Sequence, residues 1–366
     1  MNILIAVLAA LFIAFLLLPL IIKVSVSIDL MDNPDLRKNH SVSTPALGGI
    51  AIFVGFLFAL LLTVNLVELG SIKYFLFGLI IIFVMGLRDD ISGLLAKHKL
   101  FAQVFAAFLI AQFSELKLTG FYGLAGFNEM PEWFNLLFTI FVVVGLTNSF
   151  NLIDGIDGLA GSISALILSF YGIVFYLSGE MVYAAACGSL VGSLVAFLFF
   201  NWQPAKIFMG DTGSMILGFS IAAFTIHLLN TVGNKTLYGF EVGAPVALAL
   251  FVLIVPIVDT LRVFIIRFWN GNNPLDPDRN HLHHEIKRLG LNDRQTTFLL
   301  LAINLCFIVL AILLNGVISN MPLIIGGLVL ISVLLFFLEF RLSRIPENLK
   351  DQNESPEKHL YISKSA

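Results

Sequence analysis

Long apolar runs alternate with short polar connections along almost the whole chain, a pattern that predicts membrane-crossing helices rather than a water-soluble core. A bilayer core takes roughly 20 apolar residues per helix. Eleven stretches read this way, at about residues 2–22, 47–66, 72–88, 100–113, 134–150, 160–178, 181–199, 213–230, 244–268, 297–318 and 321–340. The expected fold class is therefore all-α and polytopic, with about eleven transmembrane helices. Residues 1–340 make up the transmembrane domain, and the polar stretch 341–366, without apolar periodicity, reads as a disordered tail. No basic segment precedes the first run and no small-residue cleavage site precedes Lys23, so that helix is expected to stay uncleaved.

Composition agrees. Of 366 residues, 58% are hydrophobic and 12% charged, against about 25% charged in an ordinary soluble domain. Cys187 and Cys306 both fall within apolar runs and read as small apolar residues, with no disulfide or metal framework. Lys and Arg set the orientation. With eleven spans, Lys73, Lys117 and Lys235 lie on one side and the other 18 of the 21 basic residues on the opposite side. That asymmetry predicts an outer N-terminus and a cytoplasmic C-terminus.

The polar clusters gather on the same cytoplasmic side. "SIDLMDNPDLRKNHSVSTPALGG", "GLRDDISGLLAKHK", "NSFNLIDGIDGLAGS", "NWQPAKIFMGDTGS" and "RFWNGNNPLDPDRNHLHHEIKRLG" are all inner connections, whereas outer ones such as "SGEM" are short or bland. A transporter places its ionisable groups near the bilayer midplane, on broken or repeated helices. Polar groups at one boundary instead suit an enzyme that meets a soluble substrate and a lipid.

Individual residues sharpen this reading. Asp89 and Asp90 close the third run, where a helix dipole disfavours acids, so the pair invites a cation or catalysis. Asn148, Asn151, Asp154 and Asp157 recur every third residue, and fan across one side of a helix. Gly155 and Gly158 let the backbone turn or a flat ligand approach. Asp211, just ahead of the eighth run, would serve as an N-cap on its own. With four other acids on the same face, a Mg²⁺–phosphate site becomes the better reading, since Mg²⁺ takes one or two carboxylates and completes its shell with phosphate and water. His281, His283 and His284 lack the cysteines or spacing of a zinc site and, with Arg279, suit phosphate oxygens. Lys99 is placed to hold a lipid phosphate at the interface.

Together, "RDD", "NSFNLIDGIDGLAGS", "NWQPAKIFMGDTGS" and "DRNHLHHEIKRLG" resemble, in matching order from about Asp32 to Gly290, the signature set of the polyprenyl-phosphate N-acetylhexosamine-1-phosphate transferases of glycosyltransferase family 4. The "HLHH" form resembles the undecaprenyl-phosphate GlcNAc-1-phosphate branch, and Leu282 sets it apart from the phospho-MurNAc-pentapeptide transferases with three consecutive histidines. The family's frequent third acid after the aspartate pair is absent, Ser92 and Gly93 standing there.

The resemblance implies transfer of GlcNAc-1-phosphate from UDP-GlcNAc to polyprenyl phosphate at the cytoplasmic face of a bacterial inner membrane, releasing UMP. The implied cofactor is Mg²⁺, with Mn²⁺ as a substitute. Asp211 and Asp90 would ligate the metal, and Asp89 with Asp90 would face the lipid phosphate, as base or as metal positioner. Asn151, Asp154, Gly155, Ile156, Asp157, Asn201 and Phe208 would hold the nucleotide. Arg279, His281, His283 and His284 would contact sugar or diphosphate, and Lys99 the lipid phosphate. Expected partners are the sugar nucleotide, the lipid and the bilayer, with a homodimer compatible and nucleic acid not expected. The rival of another class is a membrane transporter of ions or nucleotide sugars.

Overall fold

A computed structural model describes residues 2–32, 43–65, 67–124, 126–232, 242–271 and 281–346. Its helices are α1 (Ile3–Ser27), α2 (Gly48–Thr63), α3 (Ile72–Ser92), α4 (Ala96–Phe113), α5 (Glu132–Ile153), α6 (Leu159–Leu177), α7 (Met181–Asn201), α8 (Gly210–Val232), α9 (Pro245–Val252), α10 (Ile254–Trp269), α11 (Leu282–Arg288), α12 (Asp293–Leu314) and α13 (Asn320–Ser343). Ten expected spans coincide with one helix each, and the ninth, 244–268, with a bent pair. By length and apolarity alone, seven helices among the described residues suffice to cross a membrane, or eight if the bent pair is one span. α2 misses that standard at 16 residues, and α3 and α4 miss it through polar residues near their ends. Tail residues 347–366 lie outside the described residues.

α8 packs against α2, α3, α5, α6 and α9. Of its most apolar stretch 94% is buried, against 11% for α13, so α8 is central and α13 peripheral. α1 shows the pattern of a helix with one side in lipid. Ala6, Ala10, Ala14 and Leu18, four residues apart, are buried, while Leu4, Leu8, Phe12 and Leu16 are exposed. The small side chains let α1 approach α7 closely near Gly188 and Gly192, a packing device suited to membranes, where apolar burial gives no drive. Cys187 is buried in that core, and Cys306 lies on the exposed side of α12. The α4–α5 connection holds an antiparallel hairpin, β1 (Gly120–Leu124) and β2 (Phe127–Glu129), which apolar periodicity did not predict.

The ninth expected span, 244–268, is not a single helix. α9 and α10 meet at a 76° bend. Pro256 has no N–H for the carbonyl of Val252, and its ring crowds that carbonyl, so the helix breaks there. In an apolar surrounding each freed backbone group needs another partner. Asn304 of α12, fully buried, supplies both. Its Nδ2 donates to the Val252 carbonyl at 3.1 Å and its Oδ1 accepts from Val255 N–H at 3.4 Å.

Asn304→Leu preserves bulk and strands both groups. We expect it to lower stability in detergent micelles by about 1–3 kcal/mol, read as a lower thermal unfolding midpoint. An unchanged midpoint would mean that something else holds the bend.

Candidate active site

The first turn of α8 gathers side chains from three other helices, α3, α4 and α5, at one end of the bundle. Asp90 of α3 caps α8 from outside. Its Oδ1 accepts from Asp211 N–H at 2.8 Å, and its Oδ2 from Thr212 N–H at 3.0 Å and the Thr212 hydroxyl at 2.5 Å. A carboxylate at a helix N-terminus is favoured both by the free N–H groups and by the dipole. Asp211 then faces Lys99 of α4, whose Nζ lies 2.5 Å from Asp211 Oδ2 and also pairs with Asp89. Asn151 of α5 donates to Asp211 Oδ1 and to Ser214 Oγ, both at 2.9 Å. Asp89 also accepts from Leu94 N–H at 2.6 Å. Beside this cluster lies a cavity of about 470 Å³ whose lining includes Asp29, Asp32, Asp89, Asp90, Gly210 and Asp211.

The loop from Asp154 to Gly158 forms a second wall. Asn201, at the end of α7, accepts from Gly158 N–H and donates to the Ile207 carbonyl, both at 2.9 Å. Both ends of its amide thus bind backbone. Gly158 has φ +77°, a conformation that favours glycine. Asp157 Oδ2 accepts from Ala205 N–H at 3.0 Å, and burial pushes its carboxyl up to about 6. Burial, then the charges of Asp211, Asp90 and Asp157, push the half-buried Asp154 up to about 7. Ile156 is buried. Phe208 joins through its backbone, donating to the Pro45 carbonyl at 2.7 Å and accepting from Gly48 N–H at 2.9 Å.

The histidine cluster closes the third side. His281 Nδ1 lies 2.7 Å from Asp259 Oδ2, and Leu282 N–H donates to Asp259 Oδ1 at 2.6 Å. The His281 and His283 rings are stacked at 5.7 Å, with His283 and His284 4.3 Å apart. α11 is fastened to α12 by Lys287 and Asp293, 2.7 Å apart, while Arg288 and Glu285 pair within α11 at 3.0 Å. A Cβ on Gly155 would run into the His283 imidazole, so this glycine is what lets the two walls meet. Burial, and then the neighbouring His284, His281 and Lys287, hold His283 well below the ordinary imidazole range, keeping it neutral.

The structure thus brings together Asp89, Asp90, Asp211, Lys99 and Asn151 as one cluster. Gly155 meets His283 of the histidine cluster, while Asp154 lies within electrostatic reach of Asp211 and Asp90, and Asp157 within that of Lys287. Arg279 lies outside the described residues. Sequence reasoning missed Asp259, Lys287 and Asp293. Asp259 did have a signal, being a lone carboxylate within an expected span, where an acid is costly enough to suggest a role.

The family model of glycosyl transferase family 4 matches residues 72–229. The chain is 32% identical over 317 residues, 86% of each chain, to the probable undecaprenyl-phosphate N-acetylglucosaminyl 1-phosphate transferase of Bacillus subtilis (strain 168). It is 32% identical to the undecaprenyl-phosphate alpha-N-acetylglucosaminyl 1-phosphate transferase of Yersinia pestis, covering 76% of this chain and 75% of the relative. The protein of that name from Escherichia coli (strain K12) is 29% identical over 76% of this chain and 74% of its own.

The raised Asp154 value has a sign that can be checked. The folded protein binds this proton more tightly than an unfolded chain, where Asp titrates near about 4. Asp154 therefore weakens the fold most above pH of about 7, and less as pH falls toward about 4. With EDTA present, Asp154→Asn should raise the thermal midpoint in micelles by a few degrees at pH of about 8 and by less than half as much at about 5, where an unfolded Asp is still ionised. An equal shift at both values would contradict the raised value.

Proposed function

The chain belongs to glycosyl transferase family 4, among the undecaprenyl-phosphate N-acetylglucosaminyl 1-phosphate transferases, and from that premise we propose that it transfers GlcNAc-1-phosphate from UDP-GlcNAc to undecaprenyl phosphate. An oxygen of the lipid phosphate attacks the β-phosphorus. The new O–P bond forms as the bond from that phosphorus to the bridging oxygen breaks, and UMP leaves with the electron pair. One phosphoanhydride replaces another, and a phosphate monoester is already largely ionised near neutrality, its second pKa being about 6. The protein's task is then alignment and charge neutralisation rather than deep activation.

The observation that supports this reading best is the pairing of Lys99 with both Asp89 and Asp211 beside the cavity. Two carboxylates converge on one positive charge, and their hard oxygens suit Mg²⁺ with phosphate and water in its remaining positions. Among the described residues no group of three His, Cys, Asp or Glu could hold an ion unaided, so substrate phosphate would belong to the shell. Asp211 and Asp89 would hold Mg²⁺, or Mn²⁺ in its stead, and the bound ion would neutralise charge on the transferring phosphoryl group. Lys99 adds a cation for the lipid phosphate, Asn151 orients Asp211, and Asp90 fixes the turn from which Asp211 projects. The Asp154–Asp157 loop would take the uridine, and the histidine wall the diphosphate and sugar. We place this end of the bundle, with the C-terminus, at the cytoplasmic face of a bacterial inner membrane, following the basic residues.

Purified protein incubated with polyprenyl phosphate, Mg²⁺ and a panel of UDP-sugars, including UDP-MurNAc-pentapeptide, should form UMP and lipid-linked product with UDP-GlcNAc and stop when EDTA is added. Preference for the pentapeptide donor would move the protein to another branch, and flux across sealed vesicles without UMP would defeat the reading altogether. Asp211→Asn should lower transfer by more than about tenfold while the protein still inserts. Near-normal turnover would remove Asp211 from the site.

A further inference from the structure

We propose that Asp259 is a positioning residue for the transfer reaction, setting the ring orientation and tautomer of His281 and, through it, the histidine wall against the nucleotide loop. The inference rests on the proposed function for its substrate and on the geometry around α10 for its content. Asp259 is 2% exposed. A buried carboxylate is costly unless its oxygens are hydrogen-bonded, so what it bonds explains why it is tolerated. One oxygen caps α11 at Leu282 N–H, and capping alone needs no more than that. The other meets His281 Nδ1, joining two side chains more than twenty residues apart in sequence.

The direction of that pair follows from its chemistry. A carboxylate accepts only, so Nδ1 carries the hydrogen and Nε2 is the nitrogen left for a partner beyond the pair. A carboxylate behind an imidazole fixes tautomer and orientation in this way for histidines that work on another group. His281 in turn lies nearly parallel to His283, at an interplanar angle of 9°, and His283 abuts Gly155. Asp259 thus stands behind a line of rings leading to the Asp154–Asp157 loop. Its own place is set by the α9–α10 bend, since Asp259 lies just over one turn past Val255, which Asn304 holds.

Asp259→Asn keeps the shape and an acceptor for Leu282 N–H, but sets an amide N–H₂ against His281 Nδ1. We expect it to lower kcat with UDP-GlcNAc roughly tenfold to a hundredfold, with KM little changed. In a His281→Asn background the same substitution should cost almost nothing more, because the residue acts through the ring. Wild-type kcat in Asp259→Asn would overturn the proposal. So would a loss that persists in full beside His281→Asn, since Asp259 would then be only a helix cap. A second reading is made on the wild-type protein and needs no turnover. Nitrogen NMR of the wild-type protein with ¹⁵N-labelled histidine, the His281 signal assigned by its loss in His281→Asn, should show hydrogen on Nδ1, and a bare Nδ1 would overturn the assignment. Absence of lipid-linked product from the wild type would defeat the functional reading, whereas the NMR result judges Asp259 by itself.

Discussion

The N-terminus of α8 must be satisfied inside a bundle, and most of the site follows from how that is done. A helix whose length is almost wholly buried leaves its first N–H groups without water. Asp90 reaches across from α3 to take two of them. The first turn, so anchored, presents Asp211 toward Lys99, Asn151 and the cavity. A capping problem and a charge-placement problem share one solution, since the dipole that welcomes Asp90 also favours Asp211.

The same logic recurs wherever the backbone is interrupted. Asn304 serves both sides of the α9–α10 bend. Asn320 of α13 accepts from Val246 and Ala247 N–H at the start of α9 and donates to the Tyr122 carbonyl of the β1–β2 hairpin. Asn230, near the end of α8, donates to the carbonyls of Glu115 and Lys117. Asn201 clasps the loop before α6. An amide offers a donor and an acceptor without the desolvation cost of a charge, which suits it to pinning backbone between helices. Asn201 uses both ends of its amide on the protein and so shapes the loop.

The carboxylates are arranged differently. Asp154 and Asp157 are held above their ordinary range by burial, with neighbouring acids adding to it. Such crowding of negative charge opposes folding, and a structure tolerates it where a cation or a ligand's charge distribution repays it. Lys99 offsets part of that charge at Asp89 and Asp211.

Much was legible in the sequence because the bilayer imposes a length and a polarity on each span, and these are one-dimensional properties. The spans, the gathering of polar clusters at one end, and the acids at 89, 90, 154, 157 and 211 could be read without coordinates. The bend could not, because Pro256 announces a possible break while only the contact with Asn304, dozens of residues away, makes one tolerable. Nor could the division of labour among the acids, since adjacent Asp89 and Asp90 look alike in sequence, yet one pairs with Lys99 and the other caps α8. Asp259 looked like an isolated acid in an oily run. Its partners lie on α11, and only the packing of α10 brings them within reach. Sequence set which residues were available at the membrane boundary, and tertiary structure decided which of them meet, because hydrogen bonds and ion pairs act over a few ångströms that chain separation does not measure.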